Sequence, residues 1–171
     1  MTVINLIIFV YSAELPKDSG RSSWLKTTVP VKHLKTNILL RDDTMKAARS
    51  VMIPAYARVD AKILSKMQAN KITMDISFPL EQIVTYCRRI AKSGQPIGFC
   101  CKSWIQHRNL EFRTLDWLAE SLNARKTSWN GRKCFTISLN DASELNVHGN
   151  LDKFSDRLII EVNARGTAID R

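Results

Sequence analysis

The most regular hydrophobic pattern in the chain lies at residues 71–77, which read KITMDIS, with apolar and polar side chains in strict alternation. This period of two predicts a half-buried strand with one apolar and one polar face. An amphipathic helix follows: Pro79 stands where a first helical turn tolerates proline, and apolar residues recur at helical spacing as far as Ile90. Gly94 is a typical helix stop.

The other predicted elements are shorter. We expect strands at residues 97–105, 134–139 and 157–162, and a strand or another buried segment at residues 1–10. We expect a helix from Asp42 or Asp43 to Arg49, and Pro54 ends or kinks it. We expect two further helices, at residues 59–68 and 109–122. The polar segments 123–133 and 140–155 are interpreted as loops, and Pro30 argues against a central strand within residues 24–40.

Helices and strands therefore mix without a regular parallel repeat. This order predicts an α+β fold, with a mostly antiparallel sheet, helices packed on one of its faces and a polar opposite face. The most regular patterns of apolar and polar residues begin at residue 71, well inside the chain. We accordingly divide it into an N-terminal extension, residues 1–40, and one domain, residues 41–171.

Charge is the first property that points to a function. The chain has 26 Lys and Arg against 16 Asp and Glu, a formal net charge of +10 and a pI near 9.7. Such a balance favours a polyanionic partner, since each neutralised phosphate releases counterions, although a basic soluble protein without such a partner is the alternative. Trp104 and Trp129 lie near basic clusters; we expect core packing for these rings, with base stacking as the other interpretation.

Catalytic signatures are missing from the sequence. It has no phosphate-binding glycine loop, no nucleophile elbow and no metalloprotease motif, and its three His and four Cys do not have zinc-ligand spacing. We expect no enzyme, no cofactor and no metal, with the cysteines as reduced, buried thiols. The apolar N-terminal stretch of about ten residues is too short to span a bilayer, which needs roughly 20, so we expect no membrane partner.

Six local motifs, taken in order, resemble those of the large-subunit ribosomal protein five family. Residues 71–75 read KITMD, like the family's K-I-T-L-N, and the next helix ends in S-G-Q at 93–95. P-I-G follows at 96–98, then RNLEF at 108–112, which is similar to R-M-W-E-F. SWNGR at 128–132 resembles S-F-D-G-R, and LDKF at 151–154, with a final strand ending in NAR, resembles Y-D-K-V and the terminal family strand.

The resemblance covers about residues 71–165 and implies a structural RNA-binding protein. Members of the family bind 5S ribosomal RNA in the central protuberance, contact the head of the small subunit, and extend a loop toward P-site transfer RNA. The expected partners are therefore 5S RNA or its replacement, large-subunit ribosomal RNA, neighbouring ribosomal proteins and the small-subunit head. The residues implied to contact RNA are Lys71, Thr73, Asp75, Gln95, Ser103, Arg108, Asn130, Arg132 and Lys133.

Two departures from the family pattern refine this expectation. Asp75 stands where the family usually has Asn, which places a carboxylate on the RNA-facing strand. Gln95 is followed directly by Pro96, whereas the family has a longer segment with a basic loop there. We therefore expect a reduced lineage in a mitochondrial ribosome, located in the matrix. The alternative from another class is a basic, self-associating structural protein of the viral matrix type.

Overall fold

The structure is a computed structural model. It describes residues 4–8, 31–36, 48–55, 60–105, 112–149 and 157–171. The strands are β1 (Ile4–Ile8), β2 (Val31–Thr36), β3 (Ser50–Ile53), β4 (Lys71–Phe78), β5 (Cys100–Ile105), β6 (Arg125–Trp129), β7 (Arg132–Ser138), β8 (Ser143–Gly149), β9 (Arg157–Ala164) and β10 (Ile169–Asp170). The helices are α1 (Ala61–Leu64), α2 (Leu80–Ser93) and α3 (Phe112–Leu122).

All ten strands form one sheet, in the order β1-β2-β3-β4-β5-β9-β8-β7-β6-β10. The first five strands are parallel neighbours in chain order, and the five pairings from β5 to β10 are antiparallel. Parallel neighbours need long crossovers, which the segments containing α1 and α2 provide between β3, β4 and β5. The α+β class predicted from the sequence is confirmed, in a sheet that is mixed because its first half is parallel.

The hydrophobic core lies between the helices and one face of the sheet. Apolar residues of α2 and α3, including Ile83, Ile90 and Leu118, pack in one cluster with strand residues such as Ile72 and Val147. The strand registers place those strand residues on a common face. Both longer helices therefore cover the same face, as the sequence predicts, and the opposite face carries the polar side chains of each alternation.

Several predicted elements are confirmed with shorter bounds, and others are wrong. The segment 123–133, interpreted as a loop, forms most of a hairpin made by β6 and β7, and the segment 140–155 contains the central strand β8. Residues 48 and 49, the described end of the helix that we expected to reach Arg49, are not helical, and strand β3 begins at Ser50; the rest of that predicted helix lies outside the described residues. Strand β2 follows directly after Pro30, where the sequence argued against a strand.

Strand β8 was missed because its polar side chains are buried rather than solvated. All residues from Ser143 to His148 are buried, although Leu145 and Val147 alternate with Glu144, Asn146 and His148. The apolar pair belongs to the core, while the polar residues lie on the opposite face, which no helix of the described ranges covers and which we call the helix-free face. Alternation was therefore present in the sequence, but the polar half of it suggested a solvent-exposed connection.

The helix-free face of the antiparallel half is covered by the end of the chain. Residues 165–171, which we call the C-terminal strap, cross from β9 over β8 and reach the edge of β6, where Asp170 pairs with Thr127. Thr127, Thr136 and Asn146 beneath it are at most 1% exposed. Among the described residues, the hydrogen bonds of the strap go to β6, β8, the turn before β8 and the end of β9, and none goes to β4 or β5.

The predicted boundary at residue 40 lies outside the described residues. Strands β1 and β2 of the proposed extension pair in parallel with each other, and β2 pairs with β3 through His33 and Ser50. The described part of the first 40 residues therefore continues the sheet of the domain.

A two-residue turn joins β6 to β7, and its geometry requires particular residues. Asn130 and Gly131 have φ values of 49° and 72°, both in the left-handed region that this tight hairpin turn needs. We expect Gly131→Ala to lower the free energy of unfolding by about 1 kcal/mol, through backbone strain alone, since no atom lies within 4 Å of the added Cβ. Chemical denaturation measures the loss.

The matched control for the turn is Gly131→Asn, because asparagine tolerates left-handed backbone better than alanine. Its loss should be smaller than that of Gly131→Ala. Equal losses in the two variants would contradict the assignment of the effect to backbone conformation.

Candidate nucleic-acid interface

Three neighbouring strands present polar and aromatic side chains on the helix-free face where the strap does not reach. We call this surface the open sheet face and define it by Lys71, Thr73 and Asp75 of β4, Lys102 and Trp104 of β5, and Arg157 of β9. The registers place Lys71 beside Cys100, Thr73 opposite Lys102, and Trp104 opposite Arg157. Lys71 is exposed and the other five side chains are half-buried.

The sequence of β4 explains half of this surface. Its alternation sends Ile72 and Met74 into the core and leaves Lys71, Thr73 and Asp75 on the other side. The pairing with β5 becomes irregular between Thr73 and Ser77, and Asp75 lies in this irregular part. Its carboxylate oxygen Oδ1 is 3.7 Å from Nη2 of Arg157, so the acid at this position faces a cation.

Arg157 and Trp104 form a stacked pair across the β5–β9 ladder. The guanidinium carbon of Arg157 is 4.5 Å from the centroid of the Trp104 ring, within the range of a cation–π contact. Three cations and one carboxylate therefore share the open sheet face, with an aromatic ring beneath one of the cations. Such a surface can hold phosphates and provide a flat group for a base.

The predicted contact residues are only partly brought together. Lys71, Thr73 and Asp75 lie on the open sheet face, whereas Arg132, on β7, is four strand spacings from β4, roughly 19 Å. Lys133 alternates with Arg132 along β7. Asn130 occupies the exposed hairpin turn. Arg108 lies outside the described residues.

Three predicted contact residues, Ser103, Gln95 and Lys133, are not on the polar face, and Lys133 shares the helix-side face of β7 with Phe135. Ser103 is 1% exposed, alternates with the outward Lys102 and Trp104, and donates its hydroxyl to the Trp104 carbonyl at 2.9 Å, so its predicted position on the RNA-facing side of the sheet is wrong. The period of two sends it toward the helices. Gln95 is half-buried in the connection between α2 and β5, with its Nε2 3.5 Å from the Met67 carbonyl oxygen.

Sequence reasoning missed Arg157 and underestimated Trp104. Arg157 was assigned only as the start of the last strand, and both tryptophans were expected in the core. Trp104 and Trp129 are instead half-buried on the helix-free face. The Arg157–Trp104 pair depends on the register between β5 and β9, which are separated by about fifty residues; no local signal in either strand indicates it.

The covered part of the same face contains a continuous hydrogen-bonded chain. The Asn146 Oδ1 atom can only accept, so the Thr136 hydroxyl donates to it at 2.6 Å and accepts from Thr127 at 2.7 Å. Thr127 in turn accepts from the Cys134 thiol at 2.8 Å. On the other side, Asn146 Nδ2 lies 3.4 Å from the Thr167 hydroxyl of the strap. The chain therefore links β6, β7 and β8 to the strap.

Glu144 terminates this chain and anchors the strap. Its buried carboxylate accepts hydrogen bonds from the Thr167 hydroxyl and the Ala168 amide, both at 2.9 Å, and from the Gly166 amide at 3.2 Å. Arg125 Nη2 is 3.4 Å away. Burial by itself acts to raise the pKa of Glu144, but the hydrogen bonds from the strap outweigh it, and the net pKa is lowered.

His148 and Glu161 form a hydrogen-bonded pair on the same face, apart from this chain. The His148 Nε2 atom lies 2.7 Å from the Glu161 carboxylate, and Nδ1 lies 3.1 Å from the carbonyl oxygen of Gly149. The imidazole is 1% exposed beneath the ring of Trp129, with ring centroids 5.1 Å apart, so the pair connects β8 to β9 in a buried position.

The cysteines have the character expected of structural thiols. Cys87, Cys101 and Cys134 are buried, Cys100 is half-buried, and all four are free. Burial raises the pKa of Cys87 to about 12 and also raises that of Cys101. These thiols therefore remain protonated near neutral pH, and the reactive thiolate is disfavoured.

No three His, Cys, Asp or Glu side chains within the described part of the chain lie close enough together to hold a metal ion. No helix in the described ranges is long and apolar enough to cross a membrane.

Comparison with known proteins gave no match from which a function could be inferred, so a function has to be argued from the residues of this chain. No protein-family model matches the chain, and no match was found to a curated protein or to a solved structure.

Proposed function

We propose that this chain is a non-catalytic RNA-binding protein that binds structured RNA through the open sheet face. The observation that carries the proposal is the grouping of Lys71, Lys102 and Arg157 with the Trp104 ring on a helix-free surface. Polyanion binding requires an excess of accessible cations, and recognition of RNA beyond its charge requires flat groups and hydrogen-bond donors; this surface supplies all three.

The particular RNA is proposed from the order of the six motifs. They resemble those of the large-subunit ribosomal protein five family, so we propose a structural constituent of a mitochondrial large ribosomal subunit, located in the matrix. Its partners would be ribosomal RNA of the central protuberance (5S RNA or its replacement), adjacent ribosomal proteins and the small-subunit head. The position of Lys71, Thr73 and Asp75 beside Lys102 supports this proposal, since it gathers the KITMD strand into a surface suited to RNA.

The first test measures RNA affinity in a charge-removal variant. We expect Lys71→Ala combined with Lys102→Ala to weaken binding to ribosomal RNA roughly tenfold at moderate salt, because two phosphate-neutralising side chains are lost. The slope of log affinity against log salt concentration should fall by about 2, one for each lost phosphate contact. Filter binding or fluorescence anisotropy over a salt series measures both quantities.

The matched control removes the same charge from the other side of the sheet. Lys62 and Lys66 are exposed in and beside α1, whose residues Ala61 and Leu64 pack into the helix-side core. Lys62→Ala combined with Lys66→Ala should change affinity and salt slope much less. Equal losses in the two double variants would show attraction by net charge alone and would contradict an interface on the open sheet face.

Crosslinking and sequencing in the native cells tests the ribosomal assignment. Recovery of large-subunit ribosomal RNA centred on the protuberance is the expected outcome. A protein that sediments away from ribosomes, forms salt-sensitive oligomers and binds membranes would contradict the proposal and favour the viral matrix-type alternative.

A further inference from the structure

Among the described residues, Arg157 is held on the open sheet face by stacking and charge, and these contacts include no hydrogen bond. Its guanidinium lies 4.5 Å from the Trp104 ring centroid, and its Nη2 atom is 3.7 Å from Asp75 Oδ1, which is too long for a hydrogen bond. Its Nε atom is buried and has no hydrogen-bond partner among the described residues. The arginine side chain is 31% exposed, so part of this cation remains accessible to a ligand.

The surroundings of Arg157 determine which parts of the guanidinium remain free. Trp104 occupies one face of the planar group, and Asp75 lies beside a terminal nitrogen. A guanidinium is weakly hydrated and can stack on both of its faces. Within the described ranges Trp104 is the one ring that stacks on this guanidinium, and the side chain is partly exposed, so we infer that a flat group of a ligand can reach the second face. The position of Asp75 and Trp104 restricts the rotamers of the long side chain before any ligand arrives.

We propose that Arg157 is the stacking platform for one unpaired RNA base, in a three-layer stack of base, guanidinium and indole. This inference rests on the proposed RNA-binding function and specifies its ligand as a bulged or looped-out nucleotide, not a continuous duplex. Bases inside a duplex are already stacked on each other, whereas an unpaired base can lie on an arginine plane. Lys71 and Lys102, on the neighbouring strands, bind the phosphates that flank it.

The same arrangement accounts for the carboxylate on an RNA-facing strand. An isolated Asp75 would repel phosphate, but the positive charge of Arg157 beside it offsets the negative charge of this carboxylate. Asp75 and Trp104 thus act as positioning residues: one holds the edge of the guanidinium and the other supports its inner face. Without them, Arg157 would remain a cation but would lose its defined plane.

The experiment compares two RNAs that differ in one nucleotide. One is a hairpin with a single 2-aminopurine bulge, and the other is the same hairpin without the bulge. We expect the wild-type protein to bind the bulged RNA about tenfold more tightly and to quench 2-aminopurine fluorescence on binding. Arg157→Lys keeps the charge but not the plane, and should abolish the preference for the bulged RNA, so that the two hairpins bind with equal affinity.

Positioning variants provide a second readout. Trp104→Leu should lose the preference for the bulge, and Trp104→Tyr, which keeps an aromatic ring, should retain most of it. Lys62→Arg, the same change of cation type on the helix side of the sheet, should leave the preference intact. Circular dichroism and thermal unfolding confirm that each variant folds before its affinity is compared.

The outcomes separate this inference from the function on which it rests. Unchanged bulge preference in Arg157→Lys would overturn the platform and leave Arg157 as a phosphate contact within an RNA-binding surface. Tight binding of both hairpins without preference would also overturn the platform alone. Failure of the wild-type protein to bind either these hairpins or ribosomal RNA would overturn the proposed function, and the platform with it.

Discussion

Replacing Glu144 by alanine is expected to lower the free energy of unfolding by about 3 kcal/mol. The substitution leaves the buried amide of Ala168 without its acceptor at 2.9 Å and removes the carboxylate that faces Arg125. It also releases the Gly166 amide, and with it the strap that covers β8. Urea denaturation near neutral pH measures the loss.

The pH dependence of stability tests the same group. Its pKa is lowered in the folded state, so Glu144 contributes stability above the unfolded-state pKa of about 4.3, and this contribution is lost as the pH falls through the folded-state pKa. Glu144→Gln, which keeps the shape but not the charge, should cost about 1–2 kcal/mol near neutral pH. The difference between wild type and this variant should shrink in acid. A difference that stays constant with pH would contradict an ionised anchor.

Thr136→Val is expected to cost about 2 kcal/mol, the second-largest effect. Valine has nearly the same shape, so packing is preserved while the middle of the hydrogen-bonded chain is removed. Thr127 then lacks its acceptor at 2.7 Å, and the Asn146 Oδ1 atom lacks its donor at 2.6 Å. Because this region is buried under the strap, water does not replace these bonds freely.

The matched control is Thr73→Val, the same substitution on the same face of the sheet. Thr73 is half-buried on the open sheet face and lies outside the chain that ends at Glu144. Its replacement should change the free energy of unfolding by less than about 0.5 kcal/mol. Equal losses at the two positions would show that the cost arises from changing threonine in this sheet in general, and the chain would then have no special contribution.

Local patterns were sufficient for the elements whose two faces differ in polarity. Strand β4 and helix α2 were predicted nearly to their ends, since apolar residues mark the side that packs and polar residues mark the side that does not. Strand β8 alternates just as regularly, but Glu144, Asn146 and His148 suggested solvent. They are buried because the strap and Trp129 cover them, and both covers come from distant parts of the chain.

The residues of the candidate site divide in the same way, into those that a local pattern identifies and those that it does not. The polar side of β4 could be read from the KITMD stretch, so Lys71, Thr73 and Asp75 were chosen from sequence and lie together. Ser103 was misplaced because a shift of one residue in a strand reverses the face on which a side chain lies. Arg157 could not be chosen, since a charged residue at the start of a strand has no distinguishing local signal.

By itself, the sequence determined that this is a basic α+β protein with helices against one sheet face, and that residues 71–77 form a half-buried strand with one apolar and one polar side. These properties depend on composition and on periodicity over a few residues, which act within each segment. Only the tertiary structure decided that the first half of the sheet is parallel, that the strap closes part of the polar face, and that Arg157 lies on Trp104 beside Asp75. Those features depend on which distant strands pair and in what register, and that choice is made by the free energy of the whole sheet.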